Sequence, residues 1–275
     1  MMITLMRGGV IPEVSVLSEI GEFPGHVILT DDPLRARMLA AHHLESAALL
    51  FEQGDIVVYS GSYGNTELTL ASAGFGSGAL NDFMREALER GADEFLYIGA
   101  CFSSDERIAL RAVLLAEGGS GILMERAKRA AGRCGIPVLV CAVEAGTGAA
   151  TGGEDSAAAG GEDSAAAGGE DSVANAWQKS AAAGGEDSVA AAGENSVAAG
   201  GEDSAAEGNA AEGYGSIFDN VTDGFYKQAA AGGADALAVL TVAENMKTGE
   251  RMEDHERRSR FYAAARLVFE IEADA

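Results

Sequence analysis

Residues 72–101 read SAGFGSGALNDFMREALERGADEFLYIGAC, and the order of signals within them decides the fold class. An apolar run ends in the glycine-rich turn Gly74–Gly78, where absent side chains leave the backbone free to turn. Leu80, Phe83, Met84, Ala87 and Leu88 then recur at helical spacing until Gly91 stops the helix. The run DEFLYIGAC follows as a strand with a small-residue exit at Gly99–Ala100. Strand, turn, helix and strand in succession are the signature of an α/β protein.

Working outward, HVILT (His26–Thr30) reads as a strand closed by Asp31, Asp32 and Pro33, with a helix over about 34–42 after it. GDIVVYSGSYGNTELTLASAGFGSG holds two strands joined at the YGN turn. ALRAVLLAEG is the next strand, and the alternation in RIALRAVLL makes Arg107 and Arg111 its surface residues. ILMERAKRAAGRCG is an amphipathic helix and IPVLVCAV a buried strand. IFDNVTDGFYKQAAAGGA reads as a helix ending at Gly232–Gly233, and DALAVLTV as a strand. The chain closes on MEDHERRSRFYAAARLVFEIE, one long helix with Phe261, Ala264, Ala265, Val268 and Phe269 toward the core. The expected fold is an α/β three-layer sandwich, a mixed central sheet flanked by helices, with its ligand site at the carboxyl ends of the strands.

Between 147 and 212 the chain repeats a near-octamer, GGEDSAAA, with variants such as GGEDSVAA and a single Trp177. Ala and an occasional Val bury too little apolar surface to offset the entropy of ordering, so this segment is predicted to be a disordered acidic insert. Residues 1–146 and 213–275, roughly 210 in all, suffice for one domain with its own core. The segment carries thirteen acids against Lys179 alone, half of the net charge of −24. What remains is still acidic and shows no basic patch, which argues against nucleic acid as a partner. No stretch approaches 18 apolar residues and MMITLMRGGVIPEV lacks a signal-peptide core, so no membrane association is expected. Cys101, Cys134 and Cys141 are odd in number and lack metal spacing, which suits free thiols in a reducing cytoplasm.

Glu244, at the polar opening of ALAVLTVAENMKTGERM, stands where many α/β enzymes present a catalytic carboxylate. The same position suits a solvated acid after a buried strand. The GFGSG turn could cradle an anion with its backbone N–H groups, or merely relieve crowding at a strand exit. His26, His42 and His43 have no second ligand at metal spacing, so no metal site is expected. Cys101 has no base beside it and reads as a buried, inert thiol.

The succession of these blocks resembles the nucleoside phosphorylase family, in the branch of purine nucleoside and uridine phosphorylases. LTDDPLRAR resembles the family's GDPxRA phosphate loop. Residues 72–101 are similar to GxGMGxPSxxxYxxELxxxGxxxIIRxGxCG, and GADALAVLTVAENMKTGERMEDHERRSRFYAAARLVFE to the closing block in which TVSDxxxTGE precedes the last helix. The resemblance implies a pentosyltransferase that cleaves the N-glycosidic bond of a purine or pyrimidine nucleoside. Inorganic phosphate is its co-substrate, and no cofactor is needed. It implies a homo-oligomer whose sites borrow residues from a neighbouring subunit. It places phosphate on Arg35, Gly74 and Gly76, the nucleoside on Phe75, Asp219 and Asn220, and the catalytic acid at Glu244.

The departures from the family pattern are as informative. Asp31 replaces the glycine that opens the phosphate loop, Tyr97 the second phosphate arginine, Ala100 a serine and Phe102 a glycine. The ribose-binding Met and Glu fall on Asn220 and Val221, with Asp219 in place of the preceding glutamate. Only EGGSG stands where the family has a longer loop near the base. Three readings stay open: a phosphorylase, a nucleosidase-like hydrolase using water, and a non-catalytic nucleoside-binding or oligomer subunit.

Overall fold

The computed structural model describes residues 20–21, 23–74, 76–146, 215–259 and 261–275. The acidic repeat of 147–212 and Phe75 therefore lie outside the described residues. In chain order the elements are β1 (His26–Thr30), α1 (Pro33–His43), β2 (Glu45–Gln53), β3 (Ile56–Tyr63), β4 (Thr66–Ala73), α2 (Ser77–Glu89), β5 (Glu94–Ser103) and β6 (Val113–Ala116). Then come α3 (Gly121–Cys134), β7 (Val138–Cys141), β8 (Val143–Ala145), β9 (Ile217–Asp219), α4 (Thr222–Gly232), β10 (Asp235–Asn245), β11 (Glu250–Arg251), α5 (Asp254–Ser259) and α6 (Tyr262–Glu272).

One mixed sheet runs β2-β3-β4-β1-β5-β10-β6-β7, with β11 on β10 and the β8–β9 pair joined to β5. Its centre, β4-β1-β5-β10, is parallel. Such strands are covered on both faces, and every residue of β10 from Ala236 to Ala243 is buried. Alternate side chains feed two cores. Ala236, Ala238, Leu240 and Val242 join Phe83 and Met84 of α2 and Phe225 of α4. Leu237, Val239 and Ala243 join Leu39 of α1, Leu123 of α3 and Val268 and Phe269 of α6. The period of two thus builds the three layers.

Several local expectations change. Glu45–Gln53, unassigned in the sequence, is an edge strand with Leu49 and Leu50 exposed. IPVLVCAV is no buried strand, because β7 is the opposite edge and its first three residues are half-buried. Arg107 and Arg111 precede β6 in irregular chain, and Arg111 sits at φ 69°, a left-handed conformation uncommon outside glycine. The predicted helix at IFDNVTDG opens as β9, with helix only from Thr222. The long closing helix breaks at Phe261 into α5 and α6.

At the amino ends of the central strands a second surprise appears. Spacing along the chain offered His26 no ligand partner, yet its Nδ1 lies 3.2 Å from Glu94 and 2.7 Å from the fully buried Glu272. The trio has metal-ligating side chains. Arg126, however, donates from Nη1 to both Glu94 oxygens, at 2.9 and 2.7 Å, and from Nη2 to the Ile271 carbonyl. The group works as an ion-pair network tying β1 and β5 to α3 and the last turn of α6. Glu272 first, then Glu94, holds the His26 imidazolium and raises its pKa from 6.5 to about 10. A raised pKa contributes stability that is whole below pH 6.5 and lost as pH climbs through 10. The stability gap between wild type and His26→Gln, from urea midpoints, is therefore expected to be constant below pH 6.5 and to close toward pH 10. A gap that does not change with pH would leave His26 uncharged.

Candidate functional site

Because β4, β1, β5 and β10 are parallel, their carboxyl ends meet along one rim, with Thr30 in register with Ser72 on one side and Ile98 on the other. Asp32 caps the helix that follows β1, its Oδ1 accepting from Leu34 N at 2.8 Å with Pro33 in the first turn. That start sets Arg35 behind the end of β1. Beside it β4 leaves through Gly74 and Gly76, at φ 84° and 87°, and Gly76 is the cap residue of α2. Both angles suit glycine alone without strain. Arg35 thus follows β1 and the two glycines follow β4, each just past the carboxyl end of one of two adjacent parallel strands.

Arg35 is 2% exposed and already surrounded. Nη1 donates to Thr30 Oγ1 at 2.8 Å and to the Asp31 carboxylate, and Nη2 donates to the Arg257 carbonyl at 2.5 Å. The guanidinium lies 4.0 Å from the centre of the Phe261 ring, a cation–π contact. Nε has no partner. The anion on the candidate phosphate arginine is thus the chain's own Asp31.

Tyr97, in the position of the family's second phosphate arginine, is buried against Phe225 with ring centres 5.7 Å apart. A side chain at Gly99 would run into the Tyr97 ring, so the glycine makes room for it. Burial foremost, then the charges of Asp31 and Asp219, pushes the phenol well above its ordinary range and keeps it neutral. The Cys101 thiol is pushed up likewise, by burial and then by Asp219, which fits an inert thiol.

Asp219 is buried, and its oxygens are engaged locally. Oδ1 accepts from the N–H groups of Val221 and Thr222 at 3.0 and 2.9 Å, and Oδ2 from Thr222 Oγ1 at 2.6 Å. These bonds satisfy the orphan donors at the start of α4. Asn220 beside it is exposed, and Val221 belongs to the core.

Glu244 is half-buried. A bulge between Val242 and Glu244 brings it into register with Phe102, four residues beyond the level of Thr30, or roughly 13 Å along the strands. The pleat turns Phe102 away from Cys101 and Ser103. Glu244 accordingly shares the face of Ala243, toward α1, α3 and α6, whereas Asp219 lies by Tyr97 and Cys101 on the other. Among the described residues its carboxylate has no hydrogen bond or ion pair.

The next residue, Asn245, was missed in the sequence. Buried, it donates to the carbonyls of Asp105 and Ile108 at 2.7 and 2.9 Å and accepts from Lys247 and Thr248 N–H at 2.9 and 3.1 Å. All four of its bonding positions are used. It fastens the strand end carrying Glu244 to the loop after β5.

Asp219 can be tested directly. Asp219→Ala is expected to lower stability by about 0.5–2 kcal/mol, the usual cost of losing a helix cap, with Asp219→Asn keeping most of it. Urea denaturation of the pair checks this, and unchanged midpoints would release the carboxylate for another task.

No family model matches the chain. Over 110 residues, 40% of this chain and 47% of the relative, it is 26% identical to the DeoD-type purine nucleoside phosphorylase of Buchnera aphidicola subsp. Schizaphis graminum. Over 97 residues, 35% and 42% of the two chains, it is 29% identical to the DeoD-type enzyme of Alkaliphilus metalliredigens. The chain thus spans less than half the length of these curated relatives. Among solved structures, the purine nucleoside phosphorylase from Toxoplasma gondii in complex with immucillin-H superposes with a TM-score of 0.62 over 92% of each chain, at 14% identity. The uridine phosphorylase from Vibrio fischeri ES114 superposes with a TM-score of 0.63 over 96% of this chain and all of the other, at 15% identity. The chain has the fold of the purine nucleoside and uridine phosphorylases, with distant sequence homology to the DeoD-type enzymes.

Proposed function

We propose that the protein is a nucleoside phosphorylase-like pentosyltransferase, consisting of one domain over 1–146 and 213–275 interrupted by the acidic repeat. The observation that supports this reading is that Arg35 and the glycines Gly74 and Gly76 follow the carboxyl ends of adjacent parallel strands. A guanidinium, backbone N–H groups and a helix start together suit an anion.

In this reading phosphate displaces Asp31 from Arg35 and takes backbone N–H groups of the glycine turn. Phe75, Asp219 and Asn220 are the nucleoside residues of this proposal, and the nucleoside has to span the end of the sheet, because Glu244 lies on the face opposite Asp219. As the C1′–N bond breaks, the bonding pair leaves with the base, and Glu244 supplies the proton that makes the base a better leaving group. The cationic sugar is stabilised by nearby negative charge and captured at C1′ by a phosphate oxygen, giving ribose 1-phosphate and free base. Phosphate is the co-substrate and no cofactor takes part. A homo-oligomer belongs to the proposal, and exposed Leu49 and Leu50 on β2 offer it an apolar surface.

One contact favours a second reading. With Asp31 on Arg35, the charge that phosphate would use is already neutralised, and water could attack in its place. Uridine, inosine and adenosine incubated with and without phosphate, with released base followed by chromatography, separate the two. Release only with phosphate is expected. Release without it makes the protein a hydrolase, and no release by folded protein leaves a binding subunit. Arg35→Ala should abolish phosphate dependence, whereas Asp31→Asn should lower the KM for phosphate by freeing the guanidinium. Glu244→Gln should lower kcat by roughly 10²–10⁴, the usual contribution of a general acid. Unchanged kcat would remove Glu244 from the chemistry.

A further inference from the structure

A cavity of about 310 Å³ lies between β10 and the junction of α5 with α6, lined by Arg111, Thr241, Glu256, Phe261, Tyr262 and Ala263. None of the roles proposed above uses it. Thr241 is 3% exposed, and its Oγ1 has no hydrogen-bond partner among the described residues. A buried hydroxyl left unpaired is costly, and this one belongs to a side chain lining the cavity. Also lining it, Arg111 holds Glu256 with a two-pronged bond, Nε and Nη2 to the two carboxylate oxygens at 2.5 and 2.7 Å. Phe261 is buried and Tyr262 half-exposed, so the aromatic wall runs from the interior to the mouth.

These groups restrict what can bind. A carboxylate or phosphate would compete with Glu256 for the fork of Arg111 and be repelled by it. A cation would find Glu256 already neutralised. A purely apolar guest would seal the Thr241 hydroxyl away from any partner. An uncharged planar heterocycle meets every condition. Its ring stacks on aromatic surface, its edge exchanges a hydrogen bond with Thr241, and Arg111 Nη1 can donate to a ring acceptor. The volume lies at the lower end of the ~300–1,000 Å³ usual for small-molecule sites, which suits a base rather than a larger conjugate.

We infer that this cavity is a site for a free nucleobase, separate from the place where Glu244 would protonate the departing base. The inference rests on the reading that the protein handles nucleosides. It places a holding site three residues before Glu244 on the same strand, beside the Phe261 ring that carries Arg35.

Calorimetric titration of the full chain with adenine and with uracil tests it without any turnover, so failure of glycosidic cleavage would not count against it. Saturable binding of at least one base is expected. Thr241→Val keeps the shape, removes a hydroxyl that has no partner, and should weaken binding at least tenfold while the thermal midpoint holds or rises. Ala263→Trp, an exposed substitution at the mouth, should weaken it comparably, and Glu244→Gln should leave it unchanged. No binding of either base to folded wild type would overturn the inference. So would binding that survives Thr241→Val and Ala263→Trp, or binding lost in Glu244→Gln alone, since either puts the base elsewhere.

Discussion

A guanidinium cannot shed its charge inside a protein, and burying Arg35 obliges the structure around it to supply partners. Thr30 and Asp31 come from the end of β1, a carbonyl from Arg257 in α5, and a ring face from Phe261. Asp32 adds a second tie, capping α1 with one oxygen and accepting from Arg258 Nε at 2.8 Å with the other. The start of α1 is thus fixed to a segment more than 220 residues away. The break in the closing helix falls at Phe261, the residue whose ring the arginine needs.

The rim of the sheet is therefore divided. Near β1 and β4 stand the cation and the glycine turn, and further along β5 and β10 stand Glu244 and the locked side chain of Asn245. Between them Tyr97 fills with apolar ring a place where the family resemblance called for charge. At the other end of the same strands, His26, Glu94, Glu272 and Arg126 settle their charges among themselves. One sheet thus carries a charge-paired ionic cluster at one end, with Arg126 Nε and Glu272 Oε1 unbonded among the described residues, and at the other a carboxylate without a partner among them.

Much of the fold was legible because alternation and helical spacing report burial directly. GDIVVYSGSYGNTELTLASAGFGSG held β3 and β4, the run 72–101 held α2 and β5 with their glycine boundaries, and DALAVLTV held most of β10. The exceptions share a cause. β2, β7 and the opening of β9 are short or at an edge, where neighbouring strands rather than composition decide the structure. RIALRAVLL alternates like a strand, yet Arg111 takes a left-handed turn. The candidate site was less legible. Arg35, Gly74 and Gly76 follow strands and Glu244 stands near the end of one, but no local pattern shows that Asp31 occupies Arg35 or that Asp219 bonds the start of a helix. Asn245 bonds residues 140 and 137 positions away and His26 one 246 away, which spacing along a chain does not reveal.

The exposed edge of β2 bears on how the protein behaves at high concentration. A strand carrying Leu49 and Leu50 with no outer neighbour among the described residues is a template for sheet-to-sheet addition, which natural proteins counter with charge. Here the local charges are the exposed Glu45 at the start of the strand and Glu52, which Arg37 pairs at 2.5 Å, a thin deterrent. Long-range repulsion between molecules of net charge −24 takes over that duty. It is a colloidal safeguard, and it fades when salt shortens the Debye length to about 3 Å near 1 M, or when carboxylates protonate near pH 4. Concentrated stocks would therefore keep best at neutral pH and low ionic strength, and acid or salt would bring edges together before the core yields.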